Sequence, residues 1–392
     1  MQLLQYVLCT GKLPGATVRK SVPYNPATLK NLHLKSYIFV KKTTLLLTFL
    51  AFAATHLQAK VFYVKPGGTG NGSSWSMAFG DLQQALYSAV EGDEVWVAKG
   101  LYLPTQGSDR YAAFHVPSGV TLLGGFAGDE MDVNARDFTL NKTILSGEIG
   151  LPGDADNSFS VVVLSNANSQ TRIDGFEITG GNANNPSRSK DPSNCGGGIF
   201  NSATGASSSP VIINCLIRYN KAFFGAGVFN NAEQAGDCSS TQILHCEFIN
   251  NDAKLEGGAV YNQGTEGGRC NPIIRSCNFE GNQSLYGAGI FNFAGNGGKT
   301  SPLIDNCIFS GNGAGIRASA IYNHSSENGQ CSPEILPNCH FENNAERVGG
   351  SIAGSPDQQN DKKQSKTGVR NIIIRTTPQG QGPCNLTTDN NR

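Results

Sequence analysis

The sequence predicts an all-β fold: a right-handed, single-stranded parallel β-helix, a solenoid of about ten coils with an N-terminal capping helix. Three observations lead there. Cysteines recur about every 30 residues, at Cys215, Cys246, Cys277, Cys307 and Cys339, each followed five residues later by Asn220, Asn251, Asn282, Asn312 or Asn344. Half a period away an aromatic–Asn pair recurs, ending at Asn201, Asn230, Asn262, Asn292 and Asn323. Charged residues make up only 15% of a 392-residue chain that holds 48 glycines, a composition suited to many tight turns rather than to amphipathic helices. A fixed period of this length with short strands and no helical return is the pattern of stacked coils, and crossover chirality makes them right-handed.

The elements follow in chain order. Lys41 and Lys42 precede an apolar run, Thr43 to Ala54, and small residues end at Ala59. Residues 1–59 therefore read as a leader containing a signal peptide cut after Ala59, too short in its apolar part to span a bilayer. No Met lies between Met1 and Met77, so initiation near Val40 at a non-AUG codon is expected. The mature chain then has no transmembrane span and is secreted or held at a bacterial outer surface or envelope. Residues 60–352 form the β-helix. Within it, Leu82, Ala85, Leu86, Ala89 and Val90 lie on one helical face after Asp81, an N-cap type, and predict a short helix lying across the first coil. Residues 353–392 are a polar tail or cap.

Each coil can be read in more detail. Cys and the Phe two residues later (Phe248, Phe279, Phe309, Phe341; Ile217 in the first unit) share a strand face. Ile212, Ile243, Ile274, Ile304 and Leu336 stand three residues before each Cys, an odd spacing that demands a corner between them. The polar residue preceding Cys (Asn214, His245, Ser276, Asn306, Asn338) is the expected place. The Asn ladder is expected to turn the next corner, because Asn tolerates left-handed backbone. Small triplets (225–227, 257–259, 287–289) precede the aromatic–Asn pairs, and variable polar loops follow them and stack along one edge.

Several residues could carry chemistry. The five ladder cysteines read as interior thiols packed as small hydrophobes, since zinc sites use closely spaced Cys pairs that are absent here. Cys238 and Cys270 occupy the polar loops of adjacent coils and are a possible disulfide in an exported protein. Asp154, Asp156 and Asn157 form an oxygen-rich loop of the kind that binds calcium, or a turn held by local hydrogen bonds; no other cofactor is indicated. Phe229, Tyr261, Phe291 and Tyr322, with Phe200 before them, each follow an inward Ile or Val. Strict alternation places these rings outside, where a stack of aromatics can bind sugar faces; a corner would instead pack both columns inside. The histidines and the basic residues Lys221, Lys254, Arg275, Arg317 and Arg347 form no recognisable catalytic motif. A net charge of zero argues against nucleic acid as a partner.

The F-x-x-N segments (FINN, FEGN, FSGN, FENN) and the G-G-A-[ILV]-like segments (GGAV, GAGI, GAGV) resemble the repeats of chlamydial-type polymorphic outer-membrane proteins. The stretch GNGSSWSMAFGDLQQALYSAVEGDEVWVAKGLYLP is similar to the lead-in of bacterial surface β-helix proteins and of some β-helix polysaccharide lyases. The resemblance implies export and adhesion, or binding of a polysaccharide or a cell-surface glycan or protein, without catalysis. The rival expectation is a polysaccharide lyase or glycoside hydrolase acting on acidic polysaccharide. Neither fixes an oligomeric state or an anchor.

Overall fold

The structure is a computed structural model that describes residues 59–186, 190–344 and the backbone of Ile352–Ala353. Residues 1–58 of the leader, Arg347 and the tail beyond Ala353 lie outside the described residues. Within the described part the chain coils into five parallel sheets.

One coil shows how the sequence does this. Val211–Ile213 lies in the first sheet, Leu216–Arg218 in the second, Lys221–Phe224 in the third, Val228–Ala232 in the fourth and Cys238–Ser239 in the fifth. Gln242–Leu244 then pairs beside Val211–Ile213 and the next coil begins. Short strands need sharp corners, and three per coil use left-handed backbone. The first is the polar residue before the first four ladder cysteines: Asn214, His245, Ser276 and Asn306 all have φ between 51° and 54°, whereas Asn338, expected to do the same before Cys339, does not. The second is the residue before each ladder Asn (Tyr219, Asn250, Gly281, Gly311, Asn343), not the Asn itself. The third is Gly225, Gly257, Gly287 and Ala318, where third-sheet strands give way to fourth-sheet strands.

The ladder asparagines instead point inward and bond to one another. Asn220 Nδ2 donates to Asn251 Oδ1 at 3.1 Å, Asn251 to Asn282 at 3.0 Å, Asn282 to Asn312 at 3.0 Å and Asn312 to Asn344 at 2.9 Å. Each amide also donates to a carbonyl one coil back, as Asn282 does to Phe248 at 2.9 Å. A second interior amide column, from Asn201 through Asn230, Asn262 and Asn292 to Asn323, runs down the fourth sheet. Buried amides must be fully bonded, and identical residues in register satisfy that requirement coil after coil.

The cysteines line the same interior. Cys215, Cys246, Cys277, Cys307 and Cys339 are buried, and each donates its thiol to a carbonyl; Cys277 reaches Arg275 O at 3.3 Å and Ile243 O at 3.4 Å. Beside them Phe248, Phe279, Phe309 and Phe341 stack at 4.5–5.0 Å. The Ile column closes with Ile335, which pairs with Ile304; Leu336 is displaced because the last coil carries an extra residue before its Cys. The helix Leu82–Ser88 buries Leu82, Ala85 and Leu86 against the first coil, with Asp81 Oδ1 accepting from Gln83 N at 2.9 Å. It stops at Ser88, so Val90 falls beyond it and is 53% exposed.

The first sheet has nine strands among the described residues rather than ten. The shortfall comes from insertions in the early coils, between the strands Thr121–Phe126 and Arg172–Asp174 and between Arg172–Asp174 and Val211–Ile213. The later of these carries Lys190, which shapes the candidate site.

Candidate functional site

Alternation along the fourth sheet sends Val228, Val260, Ile290 and Ile321 into the main core and Phe229, Tyr261, Phe291 and Tyr322 to the opposite face. The rings stack in register with Phe200 at centroid distances of 4.9–5.7 Å. They are nevertheless not a solvent-exposed stack. Phe229, Tyr261, Phe291 and Tyr322 are 0%, 1%, 1% and 5% exposed. Both readings of the sequence miss this outcome: the rings leave the interior and are buried again by a second layer.

That layer is built by the glycine corner. Phe224, Glu256, Tyr286 and Arg317 end the third-sheet strands and lie in register. The left-handed turn folds them back toward the rings of the fourth sheet. Phe224 meets Tyr261 edge-on at 5.9 Å, and Tyr286 meets Tyr322 at 5.6 Å. On the other side of the rings stands a further outward row, with Gln263 Nε2 donating to Asn231 Oδ1 at 2.9 Å and Phe293 stacked on His324 at 5.6 Å. Together these rows form the walls and floor of an aromatic groove. Toward the last coil Tyr286, Phe293, Arg317 and His324 are half-buried. His324 Nδ1 is buried there without a hydrogen-bond partner.

Toward the first coils the groove is filled by residues 190–195. Cys195 bridges to Phe224, and Lys190 enters among the rings. Its Nζ lies 3.9 Å from the Phe224 centroid, 4.1 Å from that of Tyr261 and 5.8 Å from those of Phe229 and Phe293. It donates to Tyr261 Oη at 2.6 Å, and that hydroxyl in turn bonds the Glu256 carboxyl. Burial lowers the Lys190 pKa, opposed by Cys195, Glu256 and Glu233. Burial likewise raises Glu256, opposed by Lys190 and Tyr261. Lys190, Phe224 and Glu256 escape sequence reading because the third-sheet row shares no residue type. The only signal is that the repeat breaks between Asn185 and Cys195.

The other candidates separate. Asp154 pairs with Lys221, Asp156 Oδ2 accepts from Leu151 N at 2.7 Å, and Asn157 Nδ2 donates to Gly180 O at 2.7 Å and to Glu148 Oε2 at 3.2 Å. The three side chains bond to different partners, and among the described residues no group of three or more His, Cys, Asp or Glu could hold a metal.

The Cys238–Cys270 disulfide does not form: Cys270 is a free, buried thiol. Register explains it. Cys238 pairs with Arg269, and Cys270 with Ser239, so the two cysteines belong to different rows of the fifth sheet, and a one-residue offset turns side chains to opposite faces. Burial pushes the thiols of Cys270 and Cys331 up to about 12. The loops that follow the aromatic–Asn pairs do stack along one edge. They are knitted by the short fifth-sheet strands and expose their tips, as at Glu266 and Asn296.

No family model matches the chain, and no curated protein does. Among solved structures, the crystal structure of pectate lyase Pel9A aligns with it at 13% identity and a TM-score of 0.34, over 75% of this chain and 80% of that one. No helix among the described residues is long and apolar enough to cross a membrane.

Proposed function

We propose that this is an exported β-helix protein of the cell surface or its surroundings that binds a glycan in the aromatic groove without catalysis of its own. One observation carries the reading. A continuous ladder of rings lies outside the main core and ends in the half-buried Tyr286, Phe293 and His324, with Arg317 paired beside Tyr286 in the third sheet. Flat apolar rings offer a face to a sugar, and a cation and an imidazole beside them offer hydrogen bonds to hydroxyl or carboxylate groups. The F-x-x-N and G-G-A-[ILV] motifs support kinship with polymorphic outer-membrane protein repeats, and the apolar run before Ala59 supports export.

The test is binding to a panel of neutral and acidic polysaccharides, by calorimetry, for the native chain and for Tyr286→Ala/Phe293→Ala, with and without calcium. Loss of the two rings weakens binding by about tenfold or more, which is roughly 1.4 kcal/mol. Unchanged binding by a folded double variant removes the groove. The same panel is assayed for new reducing or unsaturated ends; their appearance replaces the binding reading with that of a hydrolase or lyase.

A further inference from the structure

The closed end of the groove has the construction of a receptor for an organic cation. An ammonium group is held by ring faces, whose quadrupoles present negative charge, and it is most strongly held where water is excluded. Four rings from three different coils, Phe224, Phe229, Tyr261 and Phe293, surround one point on the outer face of the fourth sheet. A half-buried carboxyl, Glu256, is held at the same place through the Tyr261 hydroxyl. What occupies that point is the ammonium of the chain's own Lys190.

A lysine is a costly way to fill a hydrophobic gap. Burying an ammonium without full pairing is unfavourable, and the position belongs to an insertion that the regular coil does not need. Neighbouring coils close the same corner with ordinary packing, as Tyr286 does against Tyr322. The cage therefore selects for the head group rather than for the stem, and a tethered side chain is one of several molecules that could supply it.

We propose that the Phe224–Phe229–Tyr261–Phe293 cage with Glu256 is a binding site for alkylammonium ligands, such as quaternary amines or the amino groups of amino sugars and lysine side chains, and that Lys190 is its built-in competitor. The site shares Phe293 with the half-buried end but uses neither Tyr286 nor His324, so it can fail while the glycan reading survives, and the reverse.

Choline and its neutral isostere 3,3-dimethylbutanol are the probes, used on the full mature chain. Lys190→Ala empties the cage and is expected to bind choline, read by tyrosine fluorescence and calorimetry, about tenfold or more tightly than it binds the isostere. Lys190→Met refills the cage without charge and is expected to bind neither. Equal binding of choline and isostere by Lys190→Ala, or no binding by a variant with native circular dichroism, overturns the proposal.

Because the variant itself could fail to fold, a second measurement uses the native chain. Acylation of Lys190 by an amine-reactive ester, followed by peptide mass spectrometry, is expected to quicken in choline and not in the isostere, as the ligand displaces the lysine. No acceleration in choline also overturns the proposal. Glycan binding by Tyr286→Ala/His324→Ala, which leaves all four cage rings in place, is measured in parallel, so loss of one activity is read independently of the other.

Discussion

Asn282 shows what one position contributes when it is repeated. Its Nδ2 donates to Phe248 O and to Asn312 Oδ1, and its Oδ1 accepts from both Nδ2 and the backbone N–H of Asn251. All of this is buried, so each group left unpaired costs about 1–3 kcal/mol. Asn282→Ala is expected to lose about 2–4 kcal/mol in urea denaturation. Asn282→Asp is expected to lose more at neutral pH, because a carboxylate oxygen then faces two acceptors. Burial and lost donation raise that acid's pKa in the folded state above its unfolded value of about 3.9. The folded state therefore holds the proton: the variant is at its best below the unfolded pKa and loses stability as pH rises through the folded one. An Asp variant as stable as Asn at neutral pH would show that the ladder does not hold the coils. The period was legible in the sequence because identical residues stack. The job of each residue was less so: left-handed backbone falls on the residue before the Asn, and Cys270, read as part of a polar loop, is buried one row away from Cys238.

The turn from third-sheet to fourth-sheet strand is the element on which the groove depends. Gly257 has φ +69°, and a Cβ placed there would meet Val260 O at 2.7 Å and the Cβ of Tyr261 at 3.0 Å. Left-handed backbone costs an L-residue about 1–2 kcal/mol, and the crowding adds to it. Gly257→Ala is expected to lower stability by about 2–3 kcal/mol and to shift Tyr261 away from Lys190. Thermal denaturation reads the first effect, and the Tyr261 ring resonances read the second. Ala318 occupies the equivalent corner at φ 51° in the last such turn, so the substitution strains the turn without abolishing it. A fully native melting temperature would mean that the glycine is incidental. Strands and corners could be placed from the alternation of Cys, Phe, Asn and Gly. The groove could not, because its third-sheet wall is Phe224, Glu256, Tyr286 and Arg317, four residues with no common chemistry. Its cover comes from an insertion, and insertions interrupt the very period that made the rest readable.

A solenoid joins each coil only to its neighbours, so its stability is close to a sum of coil and interface contributions. The aromatic stack inside the second sheet offers a graded test. Phe279 is fully buried between Phe248 at 4.9 Å and Phe309 at 4.5 Å. Phe341 stacks on Phe309 at 5.0 Å and is half-buried in the last described coil. Removing a buried Phe costs about 3–5 kcal/mol, through lost transfer energy and the cavity left behind. Phe279→Ala is expected to incur that full loss, because two interfaces are breached at once. Phe341→Ala is expected to cost about half as much or less, since burial scales the transfer term. Hydrogen exchange separates the two cases further. In Phe279→Ala, faster exchange should reach the strands Glu247–Ile249 and Ile308–Ser310 on either side. In Phe341→Ala it should stay within the last coil and its contact with Ile308–Ser310. If the two variants lose equal stability, or if either opens every coil together, then the molecule folds as one cooperative block and the coil-by-coil account fails.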